Sequence, residues 1–533
     1  MKKILLLPLI FLSINLFAQN NNSFIWEEDG LECTTITAGK LATVDGSVIT
    51  SHSDDSHRGR TNIWVEPAAD HAKGEMQKMH IRLWDKDVPG KMQRYKLVEV
   101  GEIPQVDHTF QFLNTAYPCL NEKQLAIGES TIGGHPELKS DSGMIECQRL
   151  CMLILQRCST ARQAIRMTDE VLKKYGWRDA GEVLTIADKN EVWHLEIYGP
   201  GKGRVGALWV AQRVPDDHIA VNANASTIHE IDLKNKDYFM ASDNIYSLAE
   251  EFGWYDRKKD KKFDFAYVYA PESRTKIACR RREWRVFDLL APSLKLDPNS
   301  ENYPFSVKPD TLISVADLVR VFKDYYEGTE YDMRKNITVT DKEGKTVISP
   351  MANPFMKGDE LRMHKVNGGW NALGERSIAV HFTVYATIIQ CRANMPDEVG
   401  ALCWFALDNV ASSIYVPIYG NATDLPETYK TDGRETGFSK DAAWWAFNRL
   451  GNLTCQRWGD FHKVVDKVWN PMQQEFFDKQ KDIENQALDL LKSGDRKGAI
   501  QILTDFTNDC GNRAVDKAWE TGDMIWTKFD GWW

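Results

Sequence analysis

The stretch from Cys33 to Asp55 constrains this chain more than any other. Cys33-Thr34-Thr35-Ile36-Thr37 is dense in β-branched residues, whose stiff side chains suit a pleated backbone. Asp45-Gly46 is a favoured pair for a two-residue turn, and Ser47-Val48-Ile49-Thr50 resumes the strand pattern. The spacing predicts a β-hairpin that begins with a cysteine and whose return strand is closed by two carboxylates, Asp54 and Asp55.

A cysteine at the head of a strand has a chemical use if the chain is cut just before it. One residue then supplies both a thiol and a free α-amine, and an amine with a pKa near ~8 can serve as a base within a few ångströms of the sulfur. A neighbouring carboxylate can orient that amine and hold its cationic form. A lone cysteine is more often a small buried strand residue. The hairpin, the paired aspartates and the character of the preceding residues shift the weight toward a nucleophile.

Those preceding residues are Met1-Lys2-Lys3, an apolar run from Ile4 to Phe17, and Ala18-Gln19, the pattern of a secretory signal peptide over residues 1–19. The run is too short for a membrane span, so the chain is expected to be exported to the periplasm or the extracellular space without a membrane anchor. Residues 20–32 are polar, acidic and aperiodic, and are expected to form a pro-segment. A signal peptidase cutting near Ala18 or Gln19 would leave Cys33 internal, so a second cut between Glu32 and Cys33 is needed before the amine is free.

Cys33-Thr34-Thr35, Asp45-Gly46-Ser47 and Asp54-Asp55 together resemble the opening of the N-terminal-nucleophile cysteine dipeptidases, the PepD and secernin-like family. Further pieces follow in the expected order: Gly128-Glu129-Ser130-Thr131, Ser159-Thr160-Ala161-Arg162, Glu191 to Glu196, Arg213 to Asp217 and Ala443 to Phe447. The resemblance implies an α+β protein with the four-layer αββα N-terminal-nucleophile hydrolase fold over residues 33–430 and a helical C-terminal extension over 431–533. It implies hydrolysis of short peptides through a thioester on Cys33, with no cofactor and no metal. In the wider family, which includes the bile-salt and penicillin acylases, an Arg-x-x-Asp pairs with the cysteine; here His52-Ser53-Asp54-Asp55 stands in its place. Asp55 thus fits the carboxylate that holds the amine, and His52 replaces the usual arginine. A permanent positive charge could come instead from Arg282 or Arg285. The resemblance places Asn224 as the oxyanion donor, with Asn222 in reserve, because amide hydrolysis builds negative charge on the carbonyl oxygen.

The other regions are read from their own patterns. A helix is predicted from Ile145 to Cys158, with Cys147, Cys151 and Cys158 on one face as core residues. A second helix runs from Ala161 to Tyr175 and stops at Gly176. Glu182 to Asp188 and Glu191 to Tyr198 form a hairpin, followed by strands at Val205 to Val210 and His218 to Asn224. His194 and Glu196 share a face without completing a metal motif, so His194 is expected to be structural. Strands are predicted at Ile378 to Ile389 and Ala401 to Leu407, extending the sheets begun at Cys33 into two layers with helices outside, and a helical pair at Asp482 to Leu491 and Lys497 to Phe506.

A net charge of −10 argues against nucleic acid as a partner, and Arg280-Arg281-Arg282 is too short a run to change that. Ten cysteines in an exported chain permit disulfides without specifying them, and homo-oligomerisation stays open. Besides the dipeptidase, two functions stay open: an N-acyl amide hydrolase using the same nucleophile, and a non-enzymatic exported binding protein using its tryptophans.

Overall fold

A computed structural model of the protein describes residues 33–56, 59–85, 94–356, 360 and 374–531. The expected signal peptide and pro-segment lie outside the described residues.

The opening hairpin forms, with β1 (Cys33–Ala38) antiparallel to β2 (Val48–Asp54) and Cys33 opposite Asp54. Its connection is not the expected two-residue turn at Asp45-Gly46 but a loop over residues 39–47. That loop spends its backbone elsewhere: Gly39 and Leu41 donate to His218 O and Asp216 O, and Val44 to Ile313 O. Asp45-Gly46 makes only a local bend at the loop's end, with Gly46 at φ +75° and Asp45 Oδ1 accepting from Ser47 N at 3.1 Å.

β1 and β2 lie inside a seven-stranded antiparallel sheet. Beyond β1 come Ile219–Asn222 and Ser306–Val307; beyond β2 come Tyr385–Cys391, Ala401–Leu407 and Val416–Tyr419. The second sheet covers one face of these strands and helices the other, so every residue of β1 and β2 is buried. The second sheet has eight strands, among them Ala126–Ile132, Gly181–Ala187, Val192–Tyr198 and Leu208–Arg213. The His218 to Asn224 strand is shorter than predicted and joins β1, not the hairpin that precedes it. The strand expected at Val205 to Val210 is displaced to Leu208–Arg213.

The two sheets meet face to face. Thr50 Oγ1 lies 2.7 Å from Thr185 Oγ1, and Thr37 Oγ1 lies 2.9 Å from His194 Nε2. Gly128 allows this approach, since a Cβ there would stand 2.5 Å from Ser51 O and from Thr185 Oγ1. His194 is structural as expected: burial pushes its imidazole down to about 3, so it stays neutral beside Thr37. Glu196 accepts from Thr227 N at 2.7 Å and Ile228 N at 3.1 Å, anchoring the chain after Asn224.

Helices Cys147–Arg157 and Ala161–Tyr175 pack on the outer face of the eight-stranded sheet, burying Leu150, Ile154, Ile165 and Leu172 against Leu184, Ile186 and Trp193. Thr160 caps the second helix by accepting from Gln163 N, and Gly176 ends it at φ +73°. Cys147, Cys151 and Cys158 are core residues, as predicted. Ten cysteines are free thiols in this structure, Cys33 among them. Ile277–Leu290, Val315–Phe322 and three C-terminal helices cover the seven-stranded sheet. The predicted C-terminal pair proves to be parts of two much longer helices, Trp458–Lys492 and Arg496–Lys528, joined by a short turn. Among the described residues no helix is long and apolar enough to cross a membrane.

Candidate active site

Cys33 begins β1, and side-chain alternation aims its sulfur into the space between the sheets together with Thr35, Thr37, His52 and Asp54. Three of its atoms are engaged by distant parts of the chain. Cys33 N donates to Asn224 Oδ1 at 3.2 Å. Cys33 O accepts from Arg282 Nη1 at 2.6 Å, and the same nitrogen donates to Thr34 Oγ1 at 2.9 Å. Cys33 Sγ lies 3.5 Å from Glu129 Oε2.

Asn224 follows the Ile219–Asn222 strand in a left-handed conformation, φ +65°, which asparagine tolerates better than most residues. Its carboxamide is oriented by what surrounds it. The oxygen faces two donors, Cys33 N and Arg282 Nη2 (2.8 Å), and the nitrogen donates to Thr131 O at 2.7 Å. The atom an oxyanion would need is therefore engaged with Thr131 O in this structure. Asn222 instead turns to the loop, donating to Ala225 O at 2.7 Å.

Arg282 is wholly buried on the Ile277–Leu290 helix, not on an exposed helical face. It donates to Ala278 O, Cys33 O, Ala223 O and Asn224 Oδ1, tying β1 to the Asn224 turn. Burial and then the charge of Arg376 push its guanidinium down to about 10, which leaves it cationic at neutral pH. Arg285 points elsewhere and pairs with Asp324 at 2.8 Å.

Asp55 sits just past β2. It is paired with Arg376 and accepts from Thr383 Oγ1 at 2.6 Å and Ser53 Oγ at 2.9 Å. It reaches β1 through Ser53, whose hydroxyl accepts from Thr34 N at 3.2 Å. The strand predicted from Ile378 begins only at Tyr385; the residues before it run as a loop that supplies Thr383, while Arg376 precedes them.

His52 lies between the ring edges of Tyr117 and Tyr385, and its Nε2 is 3.3 Å from Glu129 Oε2 without the alignment of a hydrogen bond. Thr131 Oγ1 stands 3.3 Å from Glu129 Oε1 and 3.2 Å from Glu182 Oε1. Burial pushes both carboxyls up. In Glu129 this is outweighed by His52 and Glu182, which hold it below its usual range, while in Glu182 the charge of Glu129 adds to burial and keeps it protonated. The thiol thus faces an ionised carboxylate.

Asp54, the cross-strand partner of Cys33, is buried, and neither of its carboxyl oxygens has a hydrogen bond among the described residues. Burial, reinforced by Glu129 and Asp55 against the opposing pull of His52 and Arg434, pushes its carboxyl up to about 7. A group that changes charge near neutrality therefore stands beside the thiol.

Cys33, His52 and Glu129 lie close enough together to share a metal ion, as do Glu129, Cys147 and Glu182. A metal on the first group would occupy the sulfur that nucleophilic chemistry needs.

The structure brings Cys33, His52, Asn224 and Arg282 into one cluster and sets Asp55 on the flank of the hairpin facing Arg376. Glu129 was visible in the sequence only as part of the Gly128-Glu129-Ser130-Thr131 piece of the family resemblance. Arg376 carried no sequence signal, since it belongs to no periodic element.

This α+β protein thus holds a buried thiol at the head of a central strand, with a carboxylate at its sulfur and an amide at its nitrogen. The chain belongs to peptidase family C69, which it matches over residues 32–471. It is similar to a probable dipeptidase of Latilactobacillus sakei, 26% identical over 438 residues that cover 81% of this chain and 83% of that protein. A probable dipeptidase of Salmonella dublin is 26% identical over 404 residues, covering 73% and 81%. A probable dipeptidase B of Lactococcus lactis subsp. lactis (strain IL1403) is 25% identical over 410 residues, covering 75% and 76%. The chain is therefore an enzyme, a peptidase, and the binding-protein alternative falls away.

Proposed function

We propose that the protein is an exported dipeptidase whose nucleophile is Cys33, acting from the N-terminus of a processed chain on the four-layer αββα N-terminal-nucleophile fold. The observation that carries this reading is the set of contacts on Cys33 itself: nitrogen on Asn224, carbonyl on Arg282, sulfur facing Glu129. The backbone N–H and C=O of any buried residue need partners, but a structural core cysteine has no need of a carboxylate 3.5 Å from its sulfur, so the Glu129 contact carries the most weight. Two facing sheets with helices outside support the fold assignment. The family match, which starts at residue 32, supports a mature chain that starts at Cys33.

In this mechanism the α-amine of Cys33 takes the thiol proton as sulfur bonds to the scissile carbonyl carbon. The amine then gives that proton to the leaving nitrogen as the C–N bond breaks, leaving a thioester. Water attacks the thioester, the amine accepts its proton, and the C–S bond breaks to release the acid and restore the thiol. Asn224 holds the amine through its oxygen and offers its nitrogen, on exchange from Thr131 O, to the oxyanion. Arg282 fixes the first peptide unit of β1, and Asp55, held by Arg376 and Thr383, secures the strand that carries Asp54.

The test is the intact mass and N-terminal sequence of the exported protein, followed by hydrolysis of dipeptides beside N-acyl amino acids. A chain beginning at Cys33 that cleaves dipeptides, and whose Cys33→Ser variant loses about a thousandfold or more of that activity, is expected. A fully active chain that begins near Gln19 or Asn20 would refute the amine-plus-thiol mechanism, and turnover of N-acyl amino acids alone would reassign the substrate.

A further inference from the structure

Beside the cysteine cluster lies a cavity of about 420 Å³, within the range that takes a small ligand. Two of its lining residues reach neighbours of the nucleophile. Gly59 lines it, and a Cβ on Gly59 would stand 2.5 Å from Asp54 Oδ2, the carboxyl directly across the ladder from Cys33. Arg82 also lines it and donates to Tyr117 OH at 3.2 Å; the Tyr117 ring in turn meets His52 edge-on at 5.7 Å. Arg434 holds the floor by donating to Ser56 O at 2.8 Å and Gly59 O at 3.0 Å.

Four cations line the cavity, Arg60, Arg82, Lys96 and Arg434, with two carboxylates, Asp432 and Glu435. Arg82 is answered by Glu146 at 3.2 Å and Asp179 at 3.6 Å. Asp432 is occupied by Thr61 Oγ1 at 2.7 Å. Arg60, half-buried with its guanidinium 5.5 Å from the Trp64 ring, and Lys96, exposed at the rim, make no ion pair among the described residues. Two unanswered cations on a partly closed cavity favour an anion over a neutral group, because the low-dielectric surroundings strengthen the attraction. A dipeptide bound with its scissile carbonyl at Cys33 carries a carboxylate only about 4 Å further on, roughly one residue's length.

We propose that this cavity is the subsite for the leaving half of the substrate, and that Arg60 and Lys96 select a carboxylate there. The inference rests on the dipeptidase reading and deepens it: the carboxylate is either the C-terminal α-carboxylate of a dipeptide or the side chain of an acidic C-terminal residue. In the first case the site is selective for substrates that end one residue beyond the cleaved bond.

The experiment compares the processed wild-type enzyme with Arg60→Gln, Lys96→Gln and the double variant on two matched pairs: Ala-Ala against Ala-Ala amide, and Ala-Glu against Ala-Gln. The double variant is expected to lose about tenfold or more in kcat/KM, mainly through KM, on the anionic member of a pair relative to its neutral member. A loss confined to acid against amide identifies the α-carboxylate; a loss confined to Glu against Gln identifies the side chain. Equal effects on charged and neutral members in both pairs, including no effect at all, overturn the subsite while leaving the dipeptidase reading intact. A wild-type enzyme inactive on all four peptides overturns both. Lys96 is exposed, so Lys96→Gln alone keeps the test valid if the double variant folds poorly.

Discussion

Asp54→Asn isolates one electrostatic cost in the heart of the site. The Asp54 carboxyl is buried with neither oxygen hydrogen-bonded among the described residues, and burial pushes it up to about 7 in the folded chain against an ordinary value of 3.8. Below about pH 4 both folded and unfolded chains carry the proton, so the group costs nothing. Between about pH 4 and pH 7 the unfolded chain ionises while the folded chain keeps its proton, and stability falls by ~1.4 kcal/mol per pH unit. Above the folded value the loss is constant at about 4 kcal/mol, the product of that slope and the shift. An asparagine has nearly the same shape and no charge to pay for. Urea unfolding of both proteins between about pH 4 and pH 8 is therefore expected to show the variant gaining on the wild type as pH rises, by about 4 kcal/mol in total. A difference that is the same at both ends of that range, or that grows in favour of the wild type, would refute the argument by showing Asp54 to be ionised and compensated in the folded protein.

Arg282→Lys keeps the charge but cannot span Cys33 O, Ala223 O and Asn224 Oδ1 at once; it is expected to cost about 3 kcal/mol in urea unfolding and most of the peptidase activity, and unchanged stability would show that these contacts carry little. Asn224→Gly preserves the backbone at φ +65° and removes only the carboxamide, so kcat is expected to fall about a hundredfold with the circular dichroism spectrum unaltered; full activity would remove Asn224 from the mechanism. Added Zn²⁺ is expected to inhibit by bridging Cys33, His52 and Glu129, more strongly as pH rises from about 6 to about 8 because the thiol must lose its proton, with activity restored by a chelator; insensitivity to excess Zn²⁺ would show that the three atoms cannot converge on an ion.

Much of the local structure could be read from residue order. β-Branched residues at Cys33 to Thr37 make a strand wherever they lie, and Thr160 with Gly176 sets both ends of the Ala161–Tyr175 helix through bonds confined to neighbouring residues. The Ala401–Leu407 strand falls where its apolar run places it. Cys33 stood out by its position ahead of the Asp-Gly-Ser and Asp-Asp motifs, before any geometry was available. The turn at Asp45-Gly46 was misread because a dipeptide's turn preference cannot register competition from His218, Asp216 and Ile313 for the loop's backbone.

Which groups meet the cysteine was settled by the packing of the two sheets. Glu129 is 96 residues from Cys33, Asn224 is 191 and Arg282 is 249, and sequence separation carries no information about distance once strands pair across a sheet. The same packing sorted Asp54 from Asp55. Adjacent in sequence, they alternate to opposite faces of the hairpin, so one is paired with Arg376 and the other is sealed beside the thiol with no hydrogen bond among the described residues. Residue type and local pattern determined that this chain would present a cysteine at the head of a strand; burial between two sheets decided the protonation, neighbours and reach of that cysteine's surroundings, because those depend on solvent exclusion that only the assembled fold creates.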